Sequence, residues 1–207
     1  NERKMNNAYL VTLFTALVLC SAPARAEVIA LDVAATADPA RTALTVAAQH
    51  VADLGAPAAQ LRVRRVVQVP GGQAVHMEQV LGDLQVLGGN VSALVQGGRL
   101  VAITGKLVAL PASQRLINQA ELITLRQVGE RVEIRLARST VRRGHLALLP
   151  PLSPASPEGA RAVWVLDVIS HDPLGLFEVL ADARTGQVLR KRSTMRDVDG
   201  TVYSTNP

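Results

Sequence analysis

Residues 73–108, QAVHMEQVLGDLQVLGGNVSALVQGGRLVAITGKLV, constrain the fold more than any other stretch. Gly82-Asp83 and Gly97-Gly98 divide it into three apolar runs, Ala74 to Leu81, Leu84 to Val95 and Arg99 to Leu107. Within the runs apolar side chains recur at every second position, as in Val91, Ala93 and Val95. A period of two bounded by turn glycines predicts antiparallel hairpins with one buried face. Gly88-Gly89 interrupts the middle run, which predicts a bulge or a close approach of another part of the chain.

The flanking segments supply the rest of the architecture. Asp38-Pro39 followed by Ala40, Leu44, Ala47, Ala48, Val51 and Leu54 predicts a capped helix over 36–54, stopped by Gly55. Leu61 to Val69 reads as a strand. Leu116 to Leu125 fits either a short helix or a strand, and the alternation of Val132, Ile134 and Leu136 predicts a half-exposed strand. A proline-rich linker, Pro150 to Pro157, precedes strands at 163–169 and 176–180, the turn Asp182 to Gly186, and a closing strand from Gln187 to Arg190. The expected fold class is α+β, with curved antiparallel sheets packed on helices in two small consecutive units, 27–110 and 111–192, and a tail at 193–207.

Residues 1–26 read as a secretory signal peptide, with Met5 as the start. Arg3 and Lys4 precede the apolar run Ala8 to Cys20, and Ala24-Arg25-Ala26 offers a cleavage site before Glu27. The run is shorter than the roughly 20 apolar residues that span a bilayer. Secretion or a periplasmic location follows as an expectation, with no membrane attachment once the leader is removed. Cleavage takes Arg3, Lys4, Arg25 and Glu2 from the 22 basic and 17 acidic residues, so net charge falls from +5 to +3. The only cysteine leaves with the leader, and Trp164, Phe177 and Tyr203 are the remaining aromatics. Cysteine catalysis and single-strand nucleic-acid stacking are excluded on that composition. Arg126, Arg131, Arg135, Arg138, Arg142 and Arg143 form a basic region, read either as a solvated face or as a docking surface for an acidic partner.

The ordered set His76 and Gln79, then Val86, Gly88 and Gly89, then Leu100 and Gly105 resembles the fungalysin/thermolysin propeptide (FTP) motif. Further on, AVWVLDV with Trp164, followed by FEVLADARTGQVL, resembles the PepSY module: Asp182, Ala183, Thr185, Gly186 and Val188 fall on its Asp-Ala-x-Thr-Gly-x-Val pattern. All of these are structural positions. Gly186 suits a left-handed turn, and Asp182 and Thr185 suit the bonding of turn amides. FTP followed by PepSY behind a signal peptide implies the pro-region of a secreted thermolysin-like or fungalysin-like zinc peptidase. The resemblance implies a chaperone and inhibitor of a catalytic domain that lies outside this chain. The alternative is a free-standing secreted inhibitor or binding module of the same build.

The residues agree with a non-enzymatic role. A zinc peptidase needs His-Glu-x-x-His, and none of His50, His76, His145 and His171 has a histidine four residues on. No Gly-x-Ser-x-Gly elbow, P-loop or dinucleotide fingerprint occurs. No cofactor is expected in this chain, zinc belonging to the catalytic domain. The expected partner is that domain, in cis or in trans, and not nucleic acid. Residues 190–201, with Arg190, Lys191, Arg192 and Arg196, read as an exposed processing segment beyond the last strand.

Overall fold

In the computed structural model, residues 27–111, 117–136, 138–151, 159–171 and 174–194 are described. The glycine-bounded runs form strands close to where the period of two places them: β3 (Gly72–Leu81), β4 (Leu84–Gln96) and β5 (Arg99–Lys106). Two further strands extend this meander on its two sides. β2 (Gln60–Val69) pairs with β3, and β1 (Glu27–Ala34) pairs with β5, both antiparallel.

Helix α1 (Pro39–Gln49) covers one face of these five strands. The Asp38 carboxylate accepts from the Arg41 amide at 3.1 Å, and Pro39 takes the first helical position. The helix stops at His50, short of the expected 54, yet Val51 and Leu54 are buried by the turns that follow. Ala43, Val46 and Ala47 lie against Val75, Met77, Val91, Ala93 and Ile103 in the largest apolar cluster. Small helix residues opposite β-branched strand residues let the two layers approach closely.

The second half of the chain carries α2 (Leu125–Arg135), β6 (Ser139–Leu149), β7 (Arg161–His171), β8 (Leu174–Asp182) and β9 (Val188–Ser193). The last four strands form an antiparallel meander. Here the reading of Val132, Ile134 and Leu136 as a strand is overturned, because Val132 and Ile134 lie within α2 and Leu136 is its C-cap. The helical spacing is that of Leu125, Val128, Val132 and Leu136, and Val128 and Val132 are fully buried. A capping box starts the helix: Thr124 Oγ1 accepts from the Gln127 amide, and the Gln127 side chain accepts from the Thr124 amide at 2.8 Å.

The expected α+β class, with separate sheets packed on helices, is corrected as well. The fold is predominantly β: nine strands join in one mixed sheet, with two α-helices among the described residues. The reason lies in β4. It is 13 residues long, enough to pair with different strands along its length. Its second half hydrogen-bonds β5, while its first half meets β6 in parallel at Gln85↔Ala147 and Val86↔Leu148. Leu84, Val86, Leu148 and Ala160 form a buried cluster across that junction.

Candidate functional site

The FTP-like residues converge where β4 changes partners. Gly88 and Gly89 sit between its β6-paired and β5-paired halves, as an irregularity opposite Gln79 on β3. Gln79 is 2 % exposed. Its Oε1 accepts from the Val108 amide at 2.8 Å and its Nε2 donates to the Val108 carbonyl at 2.8 Å. Both bonds fall two residues after β5 ends, so the side-chain amide replaces the strand neighbour that Val108 lacks. Gly89 makes room for this clamp: a Cβ there would stand 2.3 Å from Gln79 Oε1 and 2.6 Å from Gln79 Cβ. Gly105 serves the same corner, since a Cβ on it would meet the Asn90 carbonyl oxygen at 2.3 Å. Val86 is fully buried against the β4–β6 junction.

His76 lies on β3, with Nδ1 2.9 Å from Ser92 Oγ on β4. Glu78, two positions along the strand, bonds Arg62 rather than the imidazole.

The PepSY-like residues build a second lock at the β8–β9 turn. Asp182 Oδ1 accepts from the amides of Thr185 at 2.8 Å and Arg184 at 2.9 Å, and from Thr185 Oγ1 at 3.1 Å. Burial alone would raise the Asp182 carboxyl. The amides of Thr185 and Arg184, the Thr185 hydroxyl and the charge of Arg161 outweigh it and hold the group below the usual carboxylate range. Gly186 has φ +71°, and a Cβ on it would stand 2.7 Å from Arg131 Cδ. Arg131, on α2, donates to the Thr185 carbonyl at 2.6 Å. Trp164 donates from Nε1 to the Ile123 carbonyl at 3.1 Å, which ties β7 to the segment entering α2. The helix, the tryptophan strand and the turn therefore hold one another.

The processing expectation needs correction. Arg190, Lys191 and Arg192 are not a free tail; they form β9 and pair with Leu180, Val179 and Glu178 of β8. Arg190 and Arg192 reach Glu178 at 3.6 and 3.3 Å, and the Lys191 ammonium lies 3.8 Å from the centre of the Phe177 ring. A protease needs an extended chain free of such pairing. Arg196 lies outside the described residues.

Sequence reasoning missed Glu78 and its arginines. Glu78 is 7 % exposed, and its Oε1 accepts from Arg62 Nη2 at 2.7 Å and Nε at 3.1 Å, with Arg64 Nε 4.0 Å from Oε2. The signal was the run Arg62, Arg64, Arg65 on one strand and an acid, Glu78, on the next. His50, at the end of α1, pairs with Asp53 at 2.8 Å. Among the described residues, no three His, Cys, Asp or Glu side chains group as metal ligands, and no helix is long and apolar enough to cross a membrane.

No family model and no curated protein matches the chain. Among solved structures it is similar to the Bacillus megaterium YpeB C-terminal domain, at 10 % identity and a TM-score of 0.37, over 80 % of this chain and 70 % of that one. The link to peptidase pro-regions therefore rests on the residues quoted above.

Proposed function

We propose that the chain is a secreted, non-catalytic module of the pro-region type, which holds a thermolysin-like or fungalysin-like zinc peptidase domain and restrains it. The observation that carries this reading is the Gln79–Val108 clamp with Gly89 beneath it. Three separated positions of the FTP-like motif meet in one interlocked corner, as expected when their order encodes a scaffold. The PepSY-like positions do the same at the β8–β9 turn. In this reading neither set performs chemistry; both shape a sheet whose surface engages the partner.

The test is an inhibition assay in trans. The full chain is added to a thermolysin-type peptidase and turnover of a peptide substrate is followed with time. The expected result is a slowed initial rate that recovers as the peptidase digests the added chain. An unchanged rate at large excess, together with an unchanged refolding yield of the denatured catalytic domain, contradicts both the inhibitor and the chaperone roles.

A further inference from the structure

We propose that the sheet face opposite α1 is a docking surface for a carboxylate-rich surface of a protein partner; this deepens, and rests on, the pro-region reading above. Directly paired residues of adjacent strands share a face, so the strand registers define this surface. One row runs Arg62, Glu78, Asn90, Lys106 across β2, β3, β4 and β5. The next runs Arg65, His76, Ser92, Thr104 and Val28, and reaches β1. Five strands about 4.8 Å apart make the face roughly 20 Å wide. The apolar cluster under α1 occupies the other side, and no helix among the described residues packs on this one.

The charges on these rows are unbalanced. Arg62, Arg64, Arg65 and Lys106 are exposed cations, whereas the one carboxylate in the rows, Glu78, is buried beneath Arg62 and Arg64. Arg65 and Lys106 make no side-chain hydrogen bond or ion pair among the described residues, while at the β4–β5 turn Arg99 and Asp32 satisfy each other. Glu78 holds the Arg62 guanidinium in place through two hydrogen bonds, so fewer of its rotamers freeze when it meets a partner. The half-buried His76 and Ser92 add hydrogen-bonding capacity between the cations.

The sheet edges are poor alternatives. Each outer strand carries an irregularity: β1 between Ala30 and Val33, β2 between Val63 and Arg65, and β9 opposite Leu180 and Ala181. Bulges and charges of this kind blunt strand addition, which leaves the basic face as the broad surface on offer. Complementary charge favours a carboxylate-rich partner.

The experiment measures anisotropy of a fluorescein-labelled oligo-glutamate peptide titrated with the full chain. The double variant Arg65→Glu/Lys106→Glu is compared with Arg41→Glu/Arg184→Glu, which changes net charge equally from exposed positions off these rows and outside the basic region at 126–143. The expected result is saturable binding that weakens at least about tenfold in the face variant, stays near wild type in the control, and falls with added salt. Neutral Arg65→Gln/Lys106→Gln should fall between them, and thermal melts confirm that all variants fold. Equal losses in both double variants overturn the proposal in favour of net charge alone. Displacement of the peptide by duplex DNA at far lower concentration, with the same sensitivity to the face substitutions, overturns the protein-partner assignment. The peptidase assay separates the two readings. A face variant that has lost peptide binding but inhibits like wild type sinks the face and leaves the pro-region reading. A wild type that binds the peptide but does not inhibit sinks the pro-region reading and keeps the face as a site for acidic proteins.

Discussion

The two locks of this sheet solve similar problems with different chemistry. At the β3–β4–β5 corner a neutral amide, Gln79, is buried and closes both backbone valences of Val108. At the β8–β9 turn a carboxylate, Asp182, gathers amides near the surface. An amide has no charge to desolvate, so it can sit in the interior, whereas a carboxylate at a wetter turn forms stronger hydrogen bonds but depends on pH. The first half of the molecule is therefore held by packing around a fixed amide, and the second by a bonded charge.

The comparison breaks most sharply at Gln79. Gln79→Leu keeps the volume but strands the Val108 amide and carbonyl, and should cost about 2–4 kcal/mol. Denaturant melts should show the loss; a change within error would mean that water replaces the clamp. Gly89→Ala forces a methyl into the same amide and should cost about 1–3 kcal/mol. Combined with Gln79→Ala it should cost less than the sum of the two single changes, because the clash with the side-chain amide goes while the one with Cβ at 2.6 Å stays.

The second lock responds to acid. The folded Asp182 group is held below its ordinary value, so its contribution is present above the unfolded carboxyl value and is lost as pH falls through the folded one. Asp182→Asn should cost about 1 kcal/mol at neutral pH and flatten the acid limb of the stability profile. Gln79→Leu should lower stability without reshaping that limb. If Asp182→Asn leaves the acid limb unchanged, the contrast between the locks fails. The smallest expected effect is Thr124→Ala, which removes half of the exposed α2 capping box for about 0.5 kcal/mol and should loosen the Arg131 contact to the turn, seen as faster amide exchange at Gly186.

How legible the fold was depended on where the local signal was strong. The glycine-bounded hairpins from Gly72 to Lys106 and the Asp38-Pro39 helix start could be read because turn chemistry and periodicity agreed there. α2 was misread because Val132, Ile134 and Leu136 satisfy a period of two as well as they flank a helical stripe, and the Thr124–Gln127 box was overlooked. β6 gave little signal, since Arg142, Arg143 and Gly144 interrupt its apolar pattern. The β4–β6 pairing, which makes one sheet of the whole, rests on two long-range residue pairs that no local pattern encodes. For the candidate site, the motif glycines and Gln79 were visible in the sequence, but the partner of Gln79 was not. Val108 becomes its partner only because β5 ends where it does.

The central claim is that this sheet binds a peptidase domain, and binding can be measured apart from digestion. A thermolysin-type catalytic domain stripped of zinc by a chelator is titrated calorimetrically with the full chain, so that it cannot cut what it binds. The account predicts saturable one-to-one binding and co-elution of the two proteins as a single species. Absence of heat and separate elution at every concentration tested would contradict it.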